Sequence, residues 1–327
     1  MYKTLKTKVE WIVFTLLIFL LFILVVGGDF SYAVSDGIKL WVACVLPALF
    51  PYVFLTTILS SISVTGIISK AISPLTKRLF NVNGCAGYAF FISLLSGYPL
   101  GAKTVSELYS DGFLSDAEAV RSSALCSTSS PVFLITSVGS ISFGSRKFGV
   151  LLFVTHLISA VINGIIFSFY KKSYKSARAV SSFIPKKMDN LLYESSYSAV
   201  VSVLVVGGLI TIFYLLTEVL ISLKILSPII SLLEQLTGDL TLAEGITLGI
   251  FECTKGIKRL SFSGITTLSL PVVSAICGFG GLSIIAQSLA YLKNAKIKTA
   301  PFVMSKLTSA VINFVVGLII SLLFLAQ

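Results

Sequence analysis

The chain has 327 residues, of which 55% are hydrophobic and only 12% charged, with a mean hydropathy of +0.96. Such a chain would expose large apolar patches and aggregate in water, which excludes a soluble enzyme or a soluble binding module. The formal net charge of +11 does not mark a nucleic-acid binder either. The basic residues cluster in short stretches between apolar segments, as in the loops of membrane proteins, without aromatic interleaving.

A helix that crosses the hydrocarbon core needs about 20 apolar residues. Residues 11–27 form the first such segment. Lys3, Lys6 and Lys8 precede it, and it reads as an uncleaved anchor, with a cleaved signal peptide as the alternative. Residues 39–63 follow, with Pro47 and Pro51 as expected kinks. Residues 132–143 (extending back through 124–131), 148–170, 198–223, 265–292 and 301–326 complete seven expected spans.

Two further apolar segments are too short to cross twice and carry Gly, Pro or charge at their centres. Residues 85–96 run into Gly97-Tyr98-Pro99-Leu100-Gly101-Ala102-Lys103 and then 104–110. Residues 240–251 run into Glu252-Cys253-Thr254-Lys255-Gly256 and then 257–262. A broken helix survives in lipid only where protein or a water-filled cavity satisfies the freed backbone. Both segments (85–112 and 240–263) are therefore predicted to be re-entrant helical hairpins.

If the hairpins do not cross, Lys70, Lys77, Arg78, Lys171, Lys172, Lys175, Arg178, Lys186, Lys187, Lys293, Lys296 and Lys298 share a side with the N-terminal lysines. Asp29, Asp36, Arg146, Lys147, Glu234 and Asp239 fall opposite. The excess of positive charge predicts a cytoplasmic N-terminus and an outside C-terminus.

The halves share sequence. Ser159-Ala160-Val161-Ile162-Asn163 recurs as Ser309-Ala310-Val311-Ile312-Asn313, Pro131-Val132 answers Pro271-Val272, and Gly101-x-Lys103-x-x-Ser106 answers Gly256-x-Lys258-x-x-Ser261. The fold class predicted is an all-α polytopic membrane protein: seven spans and two hairpins in an inverted-topology repeat, an architecture of secondary transporters. The organisation follows as an anchor (1–37), a first repeat (38–170), a basic cytoplasmic loop (171–190) and a second repeat (191–327).

The hairpin breaks are the candidate substrate site. Gly97, Tyr98, Pro99 and Gly101 precede Lys103, which falls in the first turn of a half-helix. There it opposes the macrodipole until an anion binds. Gly256 and Lys258 repeat the arrangement, with Thr254, Lys255 and Arg259 nearby, so two facing cationic tips would suit a small solute carrying carboxylates. Lys255 and Arg259 reaching out to lipid headgroups is the alternative. Glu252 lies at a helix break, where a charge costs roughly 2.5–3.5 kcal/mol on the insertion scale. It pairs with a lysine, holds a cation or carries a coupling proton. Ser127-Thr128-Ser129-Ser130-Pro131 and Gly278-Phe279-Gly280-Gly281-Leu282-Ser283 with Gln287 expose polar backbone and permit close helix approach, which adds Ser130, Gly280, Gly281 and Gln287 to the site. Asn163 and Asn313 are candidate interhelical hydrogen-bonders. His156, matched by Lys306 in the second half, is packed or lumen-facing, with a proton relay as the alternative. The five cysteines (Cys44, Cys85, Cys126, Cys253, Cys277) lack CxxC or Cys/His spacing and read as buried free thiols. HExxH, GxSxG and Walker signatures are absent, so no enzyme activity, metal or cofactor is expected.

These residues resemble the YlbJ-type sporulation integral membrane proteins of the Gate (nucleoside-recognition) group. The resemblance rests on Ser96–Lys103 with Glu107-Leu108-Tyr109, Ser130-Pro131-Val132-Phe133, His156-Leu157, Gly249-Ile250-Phe251-Glu252-Cys253-Thr254-Lys255-Gly256, and Phe279–Ser283 with Gln287, over roughly residues 38–326. Phe251 and Cys253 depart from the Leu and Ile expected there. The resemblance implies a spore-forming Gram-positive source, and transport of dipicolinic acid across the outer forespore membrane from the mother cell. It also implies an organisation similar to concentrative nucleoside transporters. The expected function is a secondary carrier or facilitator for a small anion. The alternatives are a cation-coupled nucleoside carrier and a non-transporting scaffold in spore assembly. The expected partners are the small anionic solute and the lipid bilayer, with no nucleic acid and with a homo-oligomer left open.

Overall fold

The computed structural model describes residues 30–60, 64–171 and 190–325, together with Leu21. The expected anchor at 11–27 lies outside the described residues, save Leu21, as does the basic loop at 171–190 apart from its two end residues.

The first described span is one apolar rod of 29 residues, Ser31–Leu59. It comprises α1 (Ser31–Leu40), a π-helical turn (Trp41–Val45) and α2 (Leu46–Ser60). It starts earlier than expected because Asp36 and Lys39, paired at 3.1 Å, fit an exposed helix end. Pro47 cannot donate to the residue-43 carbonyl, and the helix widens into its π turn just there.

Next comes α3 (Val64–Phe80), which no expected span or hairpin covers. Thr65, Ser69 and Thr76 face inward while Ile67, Lys70 and Leu75 are exposed. This amphipathic helix is bent 94° from the helix that follows, the geometry of a segment lying along a membrane surface.

The first hairpin forms as expected from α4 (Gly84–Ser96) and α5 (Leu100–Ser110). Gly97, at φ 79°, terminates α4 in backbone that L side chains avoid. The open end of the hairpin is closed by Asn83, which accepts from the Cys85 N–H at 2.9 Å and donates to the Phe113 carbonyl at 2.7 Å. A Ser115–Glu118 capping box starts α6 (Asp116–Leu125). This helix stops at Cys126, and residues 127–130 run without helix before a π-helix, Phe133–Ser142. The expected span at 132–143 is thus one arm of a broken helix. Then comes α7 (Arg146–Ser168), long and apolar enough to cross.

The second half repeats this order with α8 (Leu191–Ser222), a surface helix α9 (Ser227–Thr237), the hairpin α10 (Leu240–Phe251) and α11 (Cys253–Ser261), the pair α12 (Ser269–Phe279) and α13 (Gly281–Asn294), and α14 (Ala300–Phe324). The expected single span at 265–292 is interrupted by Gly280 and Gly281, at φ 85° and 77°. It is also the most enclosed of the described spans: 72% of its apolar window is buried, against 28% for α14. Five described helices, or six if the bent α3–α4 pair counts as one, are long and apolar enough to cross. The expectation of seven differs because 11–27 is not described and the helix at Phe133–Ser142 is too short. Outward Leu204, Val205 and Ile212 on α8 and Val311, Val315 and Ile319 on α14 are exposed, and lipid is the solvent that tolerates them.

The hairpins enter from opposite ends. Lys103 of α5 bonds Ser198 near one end of α8 at 3.4 Å. Lys255 of α11 reaches Thr217 and the Tyr214 carbonyl of the same helix. At 1.5 Å per residue these contacts lie about 28 Å apart along α8, nearly the thickness of the hydrocarbon core.

The pentapeptide repeat falls on structurally matching helices. Asn163 of α7 donates to the Ser305 carbonyl of α14 at 3.2 Å, and Asn313 of α14 meets His156 of α7 at 3.2 Å. The other two sequence matches do not align structurally. Pro131 follows a break whereas Pro271 precedes one. Lys103 is the fourth residue of α5 and reaches α8, as does Lys255, the third residue of α11; Lys258 is exposed.

Candidate functional site

Each hairpin leans on the broken helix of its own half, at positions where a side chain would not fit. A Cβ on Gly101 would stand 1.8 Å from the Cys126 carbonyl oxygen. Ser93 of α4 donates to that carbonyl and meets the Thr128 hydroxyl, both at 2.8 Å. In the second half a Cβ on Gly281 would lie 3.0 Å from the Cys253 nitrogen. Gly256 serves the hairpin itself, because its Cβ would meet Gly249 Cα at 2.4 Å where the two arms cross.

Both hairpin tips, the first break and the first turns of α13 line one cavity. The first tip supplies Ser96, Gly97 and Tyr98, and the first break supplies Ser129, Ser130 and Phe133. Glu252 and Thr254 come from the second tip, and Ile284 and Gln287 from α13. The remaining wall is apolar, from Val45, Ala48 and Leu49 on one side and Val206 and Ile210 of α8 on the other. Of the expected site residues, Gly97, Tyr98, Ser130, Glu252, Thr254 and Gln287 meet here. Pro99, Gly101, Gly256, Gly280 and Gly281 shape the tips and breaks without lining the cavity.

The expected pair of facing lysines does not assemble. Lys258 is exposed on α11. Lys103 lines a separate, open groove with Ser106, Glu107 and Tyr291. Both sit on the far side of their helices from the tips, since lysines three to six residues past a break have rotated away from it.

Glu252 is 1% exposed and caps α11, its Oε2 accepting the Lys255 N–H at 2.6 Å. A carboxylate at a helix N-terminus satisfies orphan donors and favours the dipole. Lys255 does not pair with it. Its Nζ binds Glu218 at 2.8 Å and lies 4.0 Å from the centre of the Tyr214 ring, so it is engaged within the protein rather than extended to headgroups. Arg259 is bonded to Glu244. The Oε1 of Gln287 and the Oγ of Ser96 are buried without a hydrogen-bond partner among the described residues. A buried polar atom left unpaired is costly, and a polar solute in the cavity would satisfy both.

His156 braces the first break. Its Nε2 accepts the Ser129 N–H at 2.9 Å, leaving Nδ1 to donate to Asn313 Oδ1 at 3.2 Å. With both nitrogens engaged by neutral groups, the ring is a packed connector, and it does not line the cavity. Ser129 Oγ donates to Tyr98 Oη at 2.6 Å, fixing the ring at the cavity edge. Ser96, Ser129 and Phe133 are cavity residues absent from the sequence-based set. The first two lie beside chosen positions and needed only the geometry of the break to be included.

Three similarities bear on this geometry. Residues 42–147 match the family model described as Gate, nucleoside recognition. The chain is 26% identical over 306 residues to the sporulation integral membrane protein YlbJ of Bacillus subtilis (strain 168), covering 85% of this chain and 74% of that protein. A solved structure of CNTnw in its intermediate 3 state, a concentrative nucleoside transporter, aligns with a TM-score of 0.52 at 14% identity. That alignment covers 99% of this chain and 87% of the other, and it shows a shared fold. The chain is an integral membrane protein whose residues 42–147 match the Gate model and whose fold is that of the solved structure.

Proposed function

We propose that this protein is a secondary carrier or facilitator that moves a small planar, carboxylate-bearing solute, dipicolinic acid, across the outer forespore membrane. The observation that carries the reading is the cavity where both hairpin tips, the first helix break and α13 meet. It has aromatic groups for a flat ring and hydroxyl, amide and backbone groups for its heteroatoms. Discontinuous helices of opposite sense around one central site are the arrangement from which alternating access is built. The choice of solute and membrane rests on the resemblance to the YlbJ-type proteins.

One observation favours a second reading. Glu252 is a carboxylate in the cavity wall, and the other polar groups there are uncharged, which suits a cation-coupled nucleoside carrier. Uptake into proteoliposomes of the purified protein separates the two. Accumulation of labelled dipicolinate, independent of sodium and faster than uridine, supports the first. Sodium-dependent uridine uptake without dipicolinate uptake replaces it with the second. Uptake of neither points to the scaffold role in spore assembly.

A further inference from the structure

Among the described residues, Lys306 is a buried lysine outside both hairpins and the cavity lining. It sits in α14, is 1% exposed, and is among the largest fully buried side chains. Its Nζ donates to Ser127 Oγ at 3.1 Å, within the first break. It also lies 5.2 Å from the centre of the Tyr98 ring at the first hairpin tip. A Cβ on Gly280, at the second break, would be 3.5 Å from the same nitrogen. One ammonium thus lies beside both breaks and a tip. Among the described residues no carboxylate approaches it within the 4.0 Å of an ion pair.

The other buried lysine among the described residues is treated differently. Lys255 has Glu218 at 2.8 Å. In the first half the position matching Lys306 holds His156, whose bonds are all to neutral groups. A hydroxyl and a ring face are weak compensation for an ammonium removed from both water and headgroups, since buried charge is tolerated when paired. The compensating charge then comes from what fills the adjacent cavity. Tyr98 forms the wall between that cavity and Lys306, and Ser127 adjoins the Ser129 and Ser130 that line it.

We propose that Lys306 is the specificity-determining counter-charge of the cavity. It favours solutes that carry a carboxylate over neutral isosteres of the same shape, acting through the Tyr98 and Ser127 wall. This inference rests on the carrier reading above and deepens it by naming the residue that selects the anion. Glu252 opposes an anion on the far side of the cavity, so Lys306 also orients the solute, with its carboxylate toward the first break and its neutral edge toward the second tip.

The test uses the full chain purified in detergent, with equilibrium binding of pyridine-2,6-dicarboxylate and of its neutral diamide. Wild type is expected to prefer the dicarboxylate. Lys306→Met removes the charge at similar length and is expected to weaken dicarboxylate binding roughly thirtyfold, the effect of a unit charge about 8 Å away at intermediate dielectric. The diamide should bind as before, and Lys306→Arg should restore the preference. Ser127→Ala removes the hydroxyl that competes for the ammonium and is expected to tighten the dicarboxylate several-fold, a readout that survives if Lys306→Met does not fold. A folded Lys306→Met that keeps the wild-type ratio, or an unfolded one with an unchanged ratio in Ser127→Ala, overturns the role of Lys306. Failure of wild type to bind either probe overturns the carrier reading with this solute instead.

Discussion

The two halves build the same sequence of parts and load them with different chemistry. The first tip, Gly97-Tyr98-Pro99, is uncharged, and its broken helix opens over a stretch of hydroxyl-bearing residues, 127–130. The second tip places a carboxylate, Glu252, at the N-terminus of α11, and its broken helix is interrupted by little more than Gly280. Anchorage differs as well. Lys103 ties the first hairpin to α8 by one 3.4 Å bond to Ser198, while Lys255 ties the second by Glu218, Thr217 and the Tyr214 ring. A duplicated scaffold can therefore keep its backbone symmetry while recognition and anchoring are divided between the copies. Backbone geometry is set by glycine contacts and helix breaks, whereas the chemistry is set by single side chains.

The largest effect expected is steric and tests the shared scaffold. Gly101→Ala puts a methyl 1.8 Å from the Cys126 carbonyl, and folded protein should be lost on size exclusion in detergent. Gly208→Ala meets nothing within 4 Å and should elute as wild type. Normal elution of the first variant would mean that the hairpin does not press on the break.

The next effect tests the difference in anchorage. Glu218→Ala strands the buried Lys255 ammonium and should cost about 3–5 kcal/mol, read as a lowered thermal midpoint. Lys103→Ala should change stability by no more than about 0.5 kcal/mol. Similar midpoints for the two variants would remove the asymmetry.

Smaller, and informative in its sign, is Glu252→Gln. The amide oxygen still accepts the Lys255 N–H, so the cap survives while the charge is lost. Dicarboxylate affinity should rise roughly tenfold, worth about 1.4 kcal/mol. A fall in uridine uptake with loss of its sodium dependence would instead favour the nucleoside reading. The smallest effect is that of Lys258→Ala. Being exposed, Lys258 should leave uptake and stability within about 0.5 kcal/mol of wild type.

Hairpins were legible because a short apolar segment with a central Gly-Tyr-Pro or charged break has no other stable arrangement in lipid. The surface helices α3 and α9 were not, because amphipathic segments with few apolar residues fall below any spanning criterion. The breaks in 124–143 and 265–292 were hidden for the opposite reason: their residues are apolar enough to read as continuous spans. Among the expected site residues, Gly97, Tyr98, Glu252 and Thr254 at the tips line the cavity, and the lysines just beyond them do not. Helical rotation of about 100° per residue carries a side chain off the cavity within a few positions. In the sequence Lys306 is only the second-half counterpart of His156, and its partners are Tyr98 and Ser127, far off in the chain.

Sequence alone determined that this protein lives in a membrane, that it is helical, that two segments enter without crossing, and that its halves are related. Each follows from local quantities: apolar length, charge placement, backbone breakers and a repeated pentapeptide. Only the tertiary structure decided which polar groups share a cavity, which lysines are engaged, and where an unpaired cation lies. Those depend on distances between residues remote in sequence, set by how two oppositely inserted hairpins close on two broken helices.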